Sequence, residues 1–256
     1  MMMYFLETLR LRNEALFYFG ALCFVAAAIF WLLAQASTVQ IMGANAWHKP
    51  LKFALSIAIF SWTMGWYAHY LGATLHLQSY NWAVILLLGF EIVYIAWQAG
   101  RGQLSHFNLD TPTHRFLYAT MALAATTVAL WTGYIGLLFF KTDLPDLPEY
   151  YVWGIRLGIA LFVVFSLEGF VLGARLSHTI GGVDGGPGLP ILNWSTRFGD
   201  PRVAHFIGMH ALQALPFLSF YVLKNVRLTL LVGLLYSLLA IFSLVQAVGG
   251  KPLVRW

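Results

Sequence analysis

The chain has 256 residues, of which 60% are apolar and 10% charged, with a formal net charge of +5. Fifteen Lys and Arg with ten Asp and Glu cannot wet a globule of this length, since soluble domains carry about 25% charged residues. That excludes an ordinary soluble enzyme, a disordered chain and a nucleic-acid-binding domain with a basic surface, and makes lipid the solvent for most of the chain.

Residues 1–13 (MMMYFLETLRLRN) read as an amphipathic segment lying in the membrane interface. Seven apolar runs follow, at about 15–36, 52–73, 80–100, 115–140, 151–175, 202–222 and 228–249. Each is roughly 20 residues or longer, enough for a helix to cross a hydrocarbon core of about 30 Å. The runs are continuous rather than alternating, which excludes an outer-membrane barrel. The first is too long for a signal peptide and has no small-residue cleavage site after it, so it is expected to be a retained span. The longest connection, 176–201, has six glycines and three prolines among its 26 residues and predicts a loop. The expected fold is therefore all-α: one polytopic membrane domain over 1–256, a seven-transmembrane-helix bundle.

Orientation follows from the cations. With seven spans, Arg10, Arg12, Lys141, Arg156, Lys224 and Arg227 fall on the side of the N-terminus, and the other nine Lys and Arg fall opposite. The richer side is expected to be cytoplasmic, giving N-terminus outside and C-terminus inside. Cys23 is the single cysteine, so an intrachain disulfide and a zinc ribbon are excluded.

Three ionisable residues fall inside spans: Glu91 in the third, Glu168 in the fifth and His210 in the sixth. Counted from the basic face they lie nine, seven and eight residues deep, or roughly 10–14 Å. A charge at such depth must be neutralised, paired or turned to an internal cavity. The expectation is one polar chamber near the basic face, with Glu91, Glu168 and His210 as its catalytic or proton-carrying groups. Glu91, Tyr94 and Gln98 are spaced i, i+3, i+7 and share a stripe, as do Glu168 and Arg175, while His210 and Gln213 share a face. Gly169 and Gly173 form a GxxxG pair that would let another helix approach Glu168.

The basic face also gathers six of the eight histidines and three helix starts opened by Pro50, Pro112 and Pro201, with Asp200 expected to cap the last of these. Helix N-termini and cations there are suited to an anion. The residues expected to hold the polar or anionic end of a ligand are Lys49, Lys52, Gln98, Arg101, His106, Arg175, Arg202, His205 and Gln213, flanked by Trp47 and Trp194. The glycine-rich loop could fold over that mouth as a lid. Topology alone also explains the cation excess, and a hydrogen-bonded structural knot also explains the Glu/Glu/His level.

A metal ion is open to the candidates His205, His210, Glu91 and Glu168, because carboxylate with imidazole suits iron, zinc or manganese. No spacing is diagnostic, and His205 and His210 are i, i+5, about 140° apart on a helix. Haem would need a second histidine at the depth of His210. Retinal is not expected, because no span interior holds a lysine for a Schiff base.

Three segments, NAWHKPLKFALS at 45–56, QAGRGQLSHFN at 98–108 and GGVDGGPGLPILNWSTRFGDPRVAHFIGMHALQALP at 181–216, together resemble an uncharacterised family of bacterial multi-pass, seven-helix membrane proteins. The resemblance implies a protein of the bacterial inner membrane and brings no catalytic role with it. Three functional readings stay open. One is a membrane enzyme or redox protein acting on a lipid-soluble or anionic amphiphilic molecule, the second a proton-coupled small-molecule transporter, and the third a structural or assembly subunit. The partners expected are the bilayer and an anionic small molecule or lipid, with no nucleic acid.

Overall fold

The structure, a computed structural model, describes residues 2–72 and 74–255. Met1, Ala73 (the last residue of the 52–73 run) and Trp256 lie outside the described residues. Among the described residues the chain is 73% helical with eight helices: α1 Met2–Arg12, α2 Glu14–Ala36, α3 His48–Ala68, α4 Leu75–Gly100, α5 Pro112–Lys141, α6 Glu149–Arg175, α7 Arg202–Leu218 and α8 Val226–Val248. A 3-10 turn prolongs α3 over His69–Leu71, and a π-helical turn prolongs α7 over Ser219–Leu223. Among the described residues six helices are long and apolar enough to cross a membrane: α2, α4, α5, α6, α7 with its π turn, and α8. The protein is thus of multi-pass membrane type, with outward-facing apolar side chains compatible with lipid contact. The remaining long helix, α3, is less apolar, because Lys52, Ser56, Ser61 and Thr63 interrupt its run, and much of it is buried against its neighbours.

Contacts divide the chain into two units, Met1–Val128 and Ala129–Trp256, with the boundary inside α5.

In the N-terminal unit, α2 and α3 pack along each other. Trp62 fits against Gly20, where any Cβ would overlap its indole, and donates its Nε1–H to the Phe17 carbonyl at 3.0 Å. Asn13 breaks the chain between α1 and α2 and caps α2, its Oδ1 accepting from Leu16 N at 3.1 Å. The Asn13 and Asn81 amides bond each other reciprocally at 3.2 Å. Arg12 lies 3.8 Å over the Trp66 ring, which holds α1 down by a cation–π contact. A hairpin too short to be expected from the sequence, β1 Gln40–Ile41 with β2 Ala44–Asn45, joins α2 to α3. Its two turn residues, Met42 and Gly43, both have left-handed backbone (φ 49° and 74°), the geometry of a type I′ turn. Asn45 then donates to the carbonyls of Ala34 and Ser37, which closes the end of α2.

In the C-terminal unit, α6 and α7 cross closely on glycines. A Cβ on Gly158 would sit 2.8 Å from the Ala211 carbonyl, and one on Gly208 would enter the Phe165 ring. The pair that admits the neighbouring helix backbone is therefore Gly154 and Gly158, with Gly154 against Pro216 and Ser219. Between those two glycines, Arg156 donates Nε and Nη2 to the Phe139 carbonyl at 3.0 and 2.7 Å, satisfying an orphan acceptor at the end of α5. Phe165, Ala204 and Ala240 form the core shared by α6, α7 and α8.

Candidate functional site

The C-terminal unit holds the closest pairing of an acid with a base within the helices. Glu168, two turns before the end of α6, has only 4% of its side chain exposed. The imidazole within reach of it is that of His205, in the first turn of α7, with Nδ1 3.3 Å from Oε2. The approach is close but not aligned, so neither carboxylate oxygen nor Nδ1 has a hydrogen-bond partner. The His205 side chain is 31% exposed, so the pair runs from a buried acid to a ring that reaches the surface. Gly169 lies beneath that ring, and a Cβ there would meet Cε1 at 3.4 Å. His210 stands five residues further along α7, its Nδ1 3.3 Å from the Gln213 Oε1.

The placement of His205 follows from the rotation of α7. Ala204, Gly208, Ala211 and Leu215 form its buried stripe against α6. At 100° per residue His205 lies on one flank of that stripe and His210 further round on the other. The small residues on α7 and the Gly154/Gly158 pair on α6 are the sequence signal for that rotation.

The 176–201 loop is built on two carboxylates. Asp184 accepts from Ser177 Oγ (2.9 Å), from the backbone N of His178 (2.8 Å) and Thr179 (2.8 Å), from Thr179 Oγ1 (2.7 Å) and from the His178 ring Nδ1 (3.0 Å). Burial works to raise the Asp184 carboxyl, and the hydrogen bonds from His178 and Thr179 outweigh it and hold the group well below the usual carboxylate range. Asp200, 2% exposed, accepts from Ser195 N (2.8 Å), from Arg202 N (3.1 Å) and from the Arg202 guanidinium (2.8 and 2.6 Å). It thus caps α7 as expected, with the helix proper starting at Arg202, one residue after Pro201. Arg202, expected to hold an anion, is engaged by Asp200 and by the Asn193 carbonyl. Ile180 and Gly199 bridge the two ends of the loop, and Gly199 abuts the Ala247 carbonyl of α8. So folded, the loop sets Trp194 against Phe206 (ring centroids 5.3 Å), which lies against His210 one turn further along α7 (4.3 Å). It is a strap tied down over the first turns of α7.

The N-terminal unit holds the other predicted group. Glu91, Tyr94 and Gln98 are all buried along one face of α4. Gln98 donates Nε2 to the Tyr94 hydroxyl (3.3 Å) and to the Leu104 carbonyl (3.0 Å), fastening the 101–111 loop to the helix end. Glu91 Oε1 is buried without a partner, and the Lys49 cation in the first turn of α3 acts on that carboxyl electrostatically. His106 packs on Phe53 and Tyr118 at 5.6 and 6.2 Å, and its Nδ1 lies 3.2 Å from Ser105 Oγ. His48 stands beside Lys49 at the start of α3. Trp47 stacks on Phe30 at 5.8 Å. Arg101 and Arg175 close α4 and α6 as exposed cations.

The structure therefore brings Glu168 together with His205, His210 with Gln213, and Glu91 with Tyr94, Gln98 and the charge of Lys49. Among the described residues no group of three or more His, Cys, Asp or Glu is arranged to hold a metal ion. Glu168 with His205 is a pair of an acid and an imidazole 3.3 Å apart, an arrangement with the groups needed to move a proton. With an Nδ1 proton turned to the carboxylate, Nε2 is left as a base, and such contacts commonly tighten only when a substrate is bound. No family model, no curated protein and no solved structure matches the chain.

Proposed function

We propose that this chain is a seven-crossing protein of a bacterial inner membrane, N-terminus outside and C-terminus cytoplasmic, acting as an enzyme on a lipid-soluble or anionic amphiphilic molecule. Glu168 and His205 perform acid–base chemistry on it. Six apolar helices support the membrane setting. The less apolar α3, 21 residues long, is the seventh crossing, its polar positions turned to helix neighbours. The excess of cations on the C-terminal side supports the orientation.

The observation that carries the reading is the Glu168–His205 contact at 3.3 Å, with a buried acid that has no other partner and a ring that reaches the surface. An unpaired carboxylate in this position is costly, and a stability role would be served by an aligned bond. A buried acid orienting an accessible imidazole is the arrangement by which a weak base is made effective. Arg175 and Arg101, exposed at helix ends, are suited to the anionic end of such a molecule, and His210 with Gln213 offers a further polar contact.

The test is reconstitution in vesicles of bacterial polar lipid, comparing wild type with Glu168→Gln and His205→Gln. Lipids and added amphiphiles are followed by mass spectrometry and internal pH by a trapped dye. The expected result is a product that requires wild type and is lost in both variants. Gradient-driven uptake without a product would replace the enzyme by a proton-coupled transporter, in which Glu168 loads and releases the proton. Full function in both variants would leave a structural subunit. An absorption spectrum and elemental analysis of the same preparation test for haem or metal, and a stoichiometric finding of either would move the chemistry to redox.

A further inference from the structure

On the outer side of α8, away from the Glu168–His205 pair in chemistry and in lining, an open groove of about 430 Å³ runs along Phe242, Val245, Gln246, Gly249 and Lys251. We propose that this groove binds one anionic glycerophospholipid of the leaflet at the C-terminal end of α8, with an acyl chain on Phe242 and Val245 and the phosphate on Lys251.

The residues are ordered as the parts of such a lipid are ordered. Phe242, Val245 and Gly249 are spaced i, i+3, i+7 and line one face of α8. Phe242 and Val245 are 61% and 63% exposed, an apolar wall that the described residues leave uncovered. Gly249 removes a side chain where the wall ends, which opens the groove to the helix end. Gln246 stands between the apolar wall and Gly249, and Lys251 comes last, two residues beyond Gly249. Tail, ester and phosphate thus meet apolar, amide and cationic groups in that sequence. The volume falls within the range of roughly 300–1,000 Å³ of small-ligand sites.

The backbone of the turn that carries Lys251 is fixed. Gln246 donates Nε2 to the Pro252 carbonyl at 2.6 Å, and Lys251 N bonds the Gln246 carbonyl at 3.1 Å, so the turn after α8 is closed on the helix. The Lys251 side chain is exposed and makes no ion pair among the described residues, and exposed Arg255 follows it. The same turn backs onto the strap, since Gly181 lies against Gly250 and Gly199 against Ala247. A lipid in the groove would therefore brace the helix end on which the strap rests.

A free phosphate is not the occupant. The carbonyl end of α8 carries the negative end of its dipole and opposes a bare anion. The buried apolar area of a chain must supply the rest of the affinity.

The test is thermal unfolding of the full chain in a neutral detergent, titrated with phosphatidylglycerol, phosphatidylcholine, or inorganic phosphate. Phosphatidylglycerol is expected to raise the midpoint by several degrees and to yield a one-lipid adduct in native mass spectra, with phosphatidylcholine and phosphate giving little. Lys251→Gln keeps the fold and removes the preference for the anionic lipid. Val245→Trp, which fills the groove and leaves the charge, removes the adduct. Equal shifts with both lipids, a shift with phosphate alone, or an unaltered response in both variants would overturn the proposal.

Discussion

Glu91 and Glu168 are the same residue type, buried near the ends of helices of almost equal length, 26 and 27 residues, in different units of the chain. Their neighbourhoods differ. Beyond Glu91 the polar groups satisfy one another: Gln98 binds the Tyr94 hydroxyl and the Leu104 carbonyl, and aromatic rings pack around them. Beyond Glu168 the next helix supplies a titratable ring that reaches the surface and is not aligned into a bond. Both acids have an oxygen without a hydrogen-bond partner, and Glu168 in addition lies 3.3 Å from a ring that is 31% exposed. The comparison teaches that burial of an acid in a bundle is not itself a functional signal. What the acid touches, and whether that group is open to a ligand, makes the difference.

The largest expected effect separates the two acids. In the vesicle assay, Glu168→Gln is expected to lower turnover by about 100- to 10,000-fold, the usual worth of a general base and its orienting acid, while Glu91→Gln keeps most of the rate. The reverse order would invert the comparison and place the chemistry in the N-terminal unit. Next in size is the crossing that sets His205 beside Glu168. Gly208→Val drives a side chain into the Phe165 ring and is expected to cost about 1–3 kcal/mol or more, read as a lowered unfolding midpoint. A fully stable Gly208→Val protein would show that α7 is free to rotate and that the His205 contact is incidental.

The strap gives a pH-dependent prediction. Asp184 is held below its ordinary carboxyl range, so its contribution is fully present above the unfolded value, near pH 3.9. It fades as the pH falls from there through the depressed folded value. Protease protection of residues 177–184 is expected to hold from pH 7 to about 4 and to decline below that. Asp184→Asn should be cleaved faster throughout and show no change across that window. The smallest effect sharpens the comparison at the site itself. Gly169→Ala adds a methyl at ordinary contact distance from the His205 ring. It is expected to leave the unfolding midpoint within about 0.5 kcal/mol of wild type while altering the rate at which His205 reacts with an imidazole-acylating reagent. Unchanged reactivity would mean that the ring does not rest on α6.

Much of the architecture is legible in the amino-acid pattern, because lipid forces long apolar runs to be helices. The seven runs overlap α2 to α8, six of which are, among the described residues, long and apolar enough to cross a membrane, and the Gly/Pro-rich segment is a loop. Thr111 and Asp200 bond the first amides of α5 and α7, as residues before a helix-opening proline should. Local spacing also put Glu91, Tyr94 and Gln98 on one face. The partner of Glu168 was less accessible. His210 has the greater depth and drew attention for it, but which flank of α7 meets α6 depends on close backbone approach at Gly154, Gly158 and Gly208. The Gly169/Gly173 pair is the nearer to Glu168 and hides that signal. Arg202 was equally opaque: as a cation at a helix start it suits an anion, and only the folded strap shows Asp200 and Asn193 engaging it.

The connection between α7 and α8 has a consequence for how the protein is made. The π turn ends at Lys224, whose backbone is left-handed at φ 46°, and Asn225 at once caps α8 by accepting from Leu228 N at 3.1 Å. Two residues reach only about 7 Å, so neither helix can be threaded into the bilayer and leave the other waiting in water. The two helices are therefore expected to enter the bilayer together as a hairpin. A reporter domain spliced between Lys224 and Asn225 would have to unwind both the π turn and the cap, and is expected to stall insertion there.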